Sequence, residues 1–215
     1  PYIIRNGSQL AYAVQKNKAG EFYEQICDIV INEGLMKGAD TNLPSNPKPW
    51  ISTTTWAAHY DGTGHIIYGA YIRDDASSFF GDVAVNSEIA NVGIAESVIS
   101  RGGSGLLARN VDGLVYNCFV QGTSSIIWPQ SSRADKAYGV SRAGGICATV
   151  GLNNPNAVVE DCISAYFNQY AFCDYTPFVS LNDANHGVVR NCLSVVPVYY
   201  ANTEIARSEE RVSRN

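Results

Sequence analysis

Val115-Tyr116-Asn117-Cys118-Phe119-Val120 is echoed twice further along the chain, as Val159-Glu160-Asp161-Cys162-Ile163-Ser164 and Val189-Arg190-Asn191-Cys192-Leu193-Ser194. A fainter copy, Ile89-Ala90-Asn91-Val92-Gly93-Ile94, comes before them. Each copy places an apolar residue two before an Asn or Asp, and Cys or Val directly after it. Recurrence of one short strand pattern marks a repeat architecture. A plain strand alternates with period two, so positions −2 and +1 should face opposite sides. Both are apolar, so the alternation slips by one residue at the Asn. A bend in the left-handed region produces that slip, and Asn and Asp tolerate it. Each copy therefore predicts strand, corner, strand, with both strands facing one interior.

The corner residues are 26, 44 and 30 positions apart. An interval near 25 residues fits one coil of a parallel β-solenoid, with an extra loop within Thr123–Arg142 lengthening the second interval. Stacked coils bring like residues to about 4.8 Å. The pattern thus predicts a structural ladder of Asn91, Asn117, Asp161 and Asn191 at successive inward corners, with Cys118, Cys162 and Cys192 stacked beside it. Of the six cysteines, three occupy this one repeat position and no C-x-x-C occurs. Neither a zinc site nor a redox motif follows from that spacing. Parallel neighbours lie beyond disulfide reach, so the cysteines are expected to be free, small and buried.

Composition agrees with an all-β chain. The 215 residues are 46% hydrophobic and only 16% charged, with 19 Gly and 13 Tyr. Net charge is −5 without a basic run, which argues against nucleic acid as a partner. No apolar run is long enough to span a bilayer. The sequence starts at Pro1 and not at Met, which leaves room for a leader or an upstream domain removed from the chain.

In the first twenty residues, Tyr2-Ile3-Ile4 is extended, Asn6 or Ser8 caps a helix, and Gly20 closes it. Leu10, Ala11, Ala13 and Val14 give that helix an apolar face. Such a helix would cap the open end of the coils in residues 21–215. Gln25–Asn32 is expected as a strand and Gly34–Trp50 as a loop. Asp61-Gly62-Thr63-Gly64 forms a tight turn between two apolar strands.

The segment Tyr60-Asp61-Gly62-Thr63-Gly64-His65-Ile66-Ile67-Tyr68-Gly69-Ala70-Tyr71-Ile72, followed by Phe79-Phe80-Gly81, resembles the F-D-G-N-G-H-T-I-x-G-L-Y-I…G-L-F-G signature of GLUG-type β-helix repeats in bacterial secreted and surface proteins. The likeness includes Ile4, Asn6, Gln9 and Leu10 of the opening helix, and Ala143-Gly144-Gly145-Ile146-Cys147-Ala148. It covers roughly residues 3–32 and 56–195. Tyr60 stands where the signature has Phe, and Thr63 where it has Asn. The resemblance implies a right-handed parallel β-helix in an extracellular or cell-surface protein with an adhesin-like or spacer role. It carries over no catalytic residues, metal or cofactor.

Chemistry-bearing residues are sparse. His59 has no evident partner, His65 flanks a turn, and His186 falls in Asn182-Asp183-Ala184-Asn185-His186-Gly187. The acids Asp74, Asp75, Asp135, Asp161, Asp174 and Asp183 are scattered, whereas a β-helix glycosidase or lyase needs them converging. Aromatics are denser. Tyr166, Phe167, Tyr170, Phe172, Tyr175 and Phe178 crowd thirteen residues, with Tyr199 and Tyr200 one coil later. Tyr166, Tyr170, Tyr175, Tyr199 and Tyr200 are the candidate sugar-stacking surface, with core packing as the alternative use of the same rings. Three functions stay open: a non-catalytic adhesion or carbohydrate-binding module with a glycan or host-surface ligand, a structural spacer, and a carbohydrate-active β-helix enzyme (polysaccharide lyase or glycoside hydrolase). Asn191 to Asn215 is 24 residues, about one coil, and Val212-Ser213-Arg214-Asn215 echoes the repeat. That predicts a fragment of a longer chain with further coils and domains.

Overall fold

The uniform left-handed corner is the device that builds this fold. Asn91, Asn117, Asp161 and Asn191 have φ of 53°, 49°, 53° and 54°. In each copy the chain reverses its side-chain alternation there and passes from one sheet to the next. A computed structural model describes residues 1–37, 40–41, 46–72, 78–99, 105–124, 145–168 and 186–195. Within them the protein is all-β apart from one helix, with three parallel sheets and a small antiparallel pair.

The first sheet has seven strands in the order Tyr2–Ile4, Phe22–Gln25, His59–Asp61, Glu88–Ala90, Leu114–Tyr116, Val158–Glu160 and Val188–Arg190. Order in space equals order in sequence, because each circuit of the chain adds one strand beside the last. The second sheet runs through Gly93–Ile99, Phe119–Ser124, Ile163–Asn168 and Leu193–Ser194. Before those strands, Ile66–Tyr68 and Tyr71–Ile72 pair with the two halves of Gly93–Ile99. The third sheet stacks Thr55–Trp56, Asp82–Val83, Ala108–Val111 and Cys147–Val150. Register holds throughout the first sheet: Tyr23, Tyr60, Ile89, Val115, Val159 and Val189 form one column.

From Tyr23 to Val159 that column is buried in the core, which is aromatic in the early circuits and aliphatic in the later ones, whereas Val189 in the last described strand is 43% exposed. Trp56 packs against Tyr23, Tyr60 and Phe80, with ring centroids 5.7, 5.9 and 5.2 Å away. Their polar atoms are satisfied: the buried Tyr60 hydroxyl donates to Gln25 Oε1 at 2.7 Å, and Trp56 Nε1 donates to the Glu88 carbonyl at 3.1 Å. Burial pushes the Tyr60 phenol well above its usual range, followed by the nearby Asp61 charge.

The helix spans Gly7–Lys16 and buries Leu10, Ala13 and Val14. Of the two expected caps, Asn6 does the work. Its Oδ1 accepts from the Gln9 N–H at 3.0 Å, and Gln9 Oε1 reaches back past the cap to accept from the Arg5 N–H at 2.8 Å. The expected stop at Gly20 is corrected: Asn17 ends the helix. Its Nδ2 donates to the Val14 carbonyl at 2.8 Å and its Oδ1 accepts from the Ala57 N–H at 2.7 Å, tying the helix to the early circuits.

Three further expectations are revised. Gln25–Asn32 is not one strand, because the chain turns a corner at residues 26–28 between Phe22–Gln25 and Ile29–Val30. Gly34–Trp50 is not all loop, because it contains the strands Met36–Lys37, Asp40–Thr41 and Pro49–Trp50. The corner Asn and Asp side chains face outward: Asn117, Asp161 and Asn191 are exposed. The slip itself requires this. If −2 and +1 both point inward, then −1 and the corner residue must both point out.

Candidate functional site

Outward positions of the first sheet form two columns beside the buried one. Register places Phe22, His59, Glu88 and Leu114 in one, and Glu24, Asp61, Ala90 and Tyr116 in the other. On this face Phe22 lies flat on His59, with ring centroids 4.5 Å apart and planes 8° from parallel. Phe22 remains 55% exposed, so its far face is open to solvent. The imidazole Nδ1 of His59 lies 3.7 Å from Glu88 Oε2. Tyr116, one strand on, lies close enough to Glu88 to feel its charge. Partial burial raises the Tyr116 phenol, and the Glu88 carboxylate raises it further. Beside Phe22, an open hollow of about 350 Å³ is lined by Pro1, Tyr2, Gly20, Glu21 and Phe22. Tyr2 is exposed and stacks on Tyr23 at 5.2 Å.

One edge of this face is fixed by the corner ladder. Asn117 Nδ2 donates to Asn91 Oδ1 at 2.7 Å, and Asn91 Nδ2 donates to Asp61 Oδ1 at 2.9 Å. Asp61 Oδ1 also accepts from the Thr63 N–H at 2.8 Å. The ladder of Asn91 and Asn117 therefore exists, on the outside, and it extends back to Asp61 in the circuit before. Asp161 and Asn191 continue the same column of left-handed corners. Beyond them, Arg190 Nε donates to Glu160 Oε2 at 2.5 Å on neighbouring strands.

Cys118, Cys162 and Cys192 each directly follow a left-handed corner. Cys118 and Cys162 are buried, Cys192 is half-buried, and all three are free. Each thiol donates to the carbonyl two residues back, at 3.2 Å for Cys118 and 3.1 Å for Cys162 and Cys192. Register places Cys162 between Cys118 and Cys192 on the neighbouring strands. Contact with Cys118 and burial push the Cys162 thiol far up, so it is an inert core group.

Of the other sequence candidates, Tyr170, Tyr175, Tyr199 and Tyr200 lie outside the described residues, as do Asp74, Asp75, Asp135, Asp174 and Asp183. Tyr166 lies in strand Ile163–Asn168, paired with Gly122. His65 contacts Asp28 at 3.1 Å, a turn-stabilising role. His186 is exposed, with its backbone N–H on the Val150 carbonyl. No group of three or more His, Cys, Asp or Glu among the described residues could hold a metal ion. Sequence reasoning missed Phe22, His59, Glu88 and Tyr116 as a group. The available signal was their place two strand positions apart or in register on the outward side, which requires the alignment of the early circuits.

No family model and no curated protein matches the chain. Among solved structures, the chain is similar to one from Bacteroides ovatus described as "a putative immunoglobulin A1 protease", at 1.30 Å resolution. The two share 15% identity with a TM-score of 0.47, over 92% of this chain and 77% of that one.

Proposed function

We propose that the chain is a right-handed parallel β-helix of the GLUG type, with Gly7–Lys16 as its capping helix, and that it acts non-catalytically as a carbohydrate-binding adhesion module of a secreted or cell-surface protein. Handedness follows from a general rule: parallel crossovers within a sheet are right-handed in about 98% of cases. The observation that carries the function is the Phe22–His59 stack, an exposed flat ring held rigid on a sheet and flanked by the polar groups of Glu88 and Tyr116. Sugar rings present an apolar face and a hydroxyl rim, and that combination of aromatic platform and neighbouring acceptors meets both. The ring is already ordered before a ligand arrives, so little side-chain entropy is lost on binding. A glycan array followed by calorimetry tests this. Wild-type chain should retain one oligosaccharide class, and Phe22→Ala should lose it while keeping its melting temperature. A wild-type chain that retains no glycan would remove the proposal in favour of a spacer.

A carbohydrate-active enzyme is the second possibility, favoured by one observation: a phenol, a carboxylate and an imidazole meet at Glu88. Those are groups of acid–base chemistry. Two facts weigh toward binding alone. Asp61, the carboxylate across the face, is engaged by Thr63 and Asn91. The site also lies on an open sheet face, where reacting groups would stay in contact with water. Release of shortened or unsaturated sugars from a polysaccharide incubated with the chain would decide for the enzyme.

A further inference from the structure

We propose that the glycan taken by this face is an amino sugar chain with free ammonium groups, laid across the strands from Phe22 toward Tyr116. This rests on the glycan-binding function proposed above and narrows it to one chemical class. The outward columns of the four strands Phe22–Gln25, His59–Asp61, Glu88–Ala90 and Leu114–Tyr116 hold the carboxylates Glu24, Asp61 and Glu88 and no Lys or Arg. The first outward cation in register is Arg190, two strands further on, and it is paired to Glu160. A uronate or sulfated polymer would meet uncompensated like charge along this whole row. An ammonium group meets the opposite: the open face of Phe22, the ring of Tyr116, and Glu88 between them. Aromatic faces attract cations through their quadrupole, and a neighbouring carboxylate adds direct charge attraction. The row crosses three strand intervals, about 14 Å at the usual parallel spacing, which fits an oligosaccharide better than a single ring.

The experiment is calorimetry on the full 215-residue chain with three probes: a glucosamine tetramer, the same tetramer fully N-acetylated, and oligogalacturonate. Phe22→Ala, Glu88→Gln and, as a charge-matched control away from the face, Glu33→Gln are measured with the wild type. The expected result is that the free amine tetramer binds, that Phe22→Ala and Glu88→Gln each weaken it about tenfold or more, and that Glu33→Gln does not. Acetylation should remove most of the affinity, and oligogalacturonate should not bind. Equal affinity for acetylated and free amine tetramers, or preference for oligogalacturonate, overturns the amino-sugar inference and leaves glycan binding standing. Binding that drops equally in Glu33→Gln overturns it as a non-specific effect of net charge. Binding untouched by Phe22→Ala and Glu88→Gln overturns the site. Silence with every sugar overturns both proposals.

Discussion

Asn117 donates through Nδ2 to Oδ1 of Asn91 at 2.7 Å, across one circuit of the chain, while both residues hold left-handed backbone conformations. One residue type thus meets two demands at once, the corner and the link between corners. A hydrogen bond on a half-exposed surface contributes about 1 kcal/mol, and a left-handed conformation costs an ordinary L-residue about 1–2 kcal/mol. Glycine avoids the second cost but lacks the amide.

Asn117→Gly should therefore destabilise the protein by about 1 kcal/mol and Asn117→Ala by about 2 kcal/mol. In an ordinary strand the order is reversed, with glycine the worse of the two. Urea denaturation of both variants checks the order. Alanine found equal to or better than glycine would contradict the corner geometry.

The second corner of the early circuits gives a paired test. Gly69 and Glu96 occupy equivalent positions, since Tyr68 pairs with Ala95 and Tyr71 with Val98. Gly69 has φ +71°, and a Cβ there would lie 1.8 Å from the Asn32 carbonyl oxygen. Glu96 holds φ +50° at the bulge between Ile94 and Ser97, with its N–H on Gln121 Oε1 at 3.1 Å. Gly69→Ala should cost about 3 kcal/mol or more, because both conformation and space forbid the methyl. Glu96→Gly should be neutral or stabilise by up to about 1 kcal/mol, since it relieves a left-handed Glu. Thermal melts of the two variants moving in the same direction would contradict the equivalence.

These corners also show what the amino acids reveal on their own. The V-x-N-C copies announce their fold because the phase slip needs only four adjacent positions, and register then follows by stacking. The outward aim of Asn117 was implicit in the same slip, although an apolar interior on both sides invites the opposite assignment. In the early circuits the corners vary: Gln25-Ile26-Cys27-Asp28 and Asp61-Gly62-Thr63-Gly64-His65 replace the single Asn. Their strands can be aligned with the later ones only through Tyr23–Tyr60–Ile89 pairing in space. Phe22, His59, Glu88 and Tyr116 come from four circuits with different corners, so no spacing rule joins them.

Asp28 gives an acid-side expectation. The Ile66 N–H on its Oδ1 at 2.9 Å holds the carboxyl below its usual range, and His65 adds to this. A depressed folded pKa contributes stability that is present above the ordinary carboxylate range and lost as pH falls through the folded value. The group is exposed, so its contribution is small. Asp28→Asn should lower the melting temperature slightly at pH 7 and leave it unchanged near pH 2. A difference that persists in full at pH 2 would assign the effect to packing and not to ionisation.

At the alkaline end the thiols and phenols act together. The Cys162, Cys192 and Cys147 thiols are pushed above the ordinary thiol value of 9.0, Cys162 chiefly by its neighbour Cys118, Cys192 chiefly by its neighbour Cys162, and Cys147 by burial. Tyr60 and Tyr23 are raised above 10.0 in the same sense, chiefly by burial. For an acid whose folded pKa is raised, the unfolded chain releases its proton first, so between the two pKa values the folded state binds more protons. Stability then falls as pH rises, beginning near the unfolded thiol value. The melting temperature should thus be flat through neutral pH, decline above about pH 9, and decline more steeply above about pH 10 as the phenols join. Cys162→Ala removes one of these groups. It should lower the melting temperature at pH 7 through lost packing and flatten the slope between pH 9 and 10 relative to wild type. An alkaline slope identical in Cys162→Ala and wild type would mean that Cys162 ionises as freely in the folded protein as in the unfolded chain, which a buried thiol between two others cannot do.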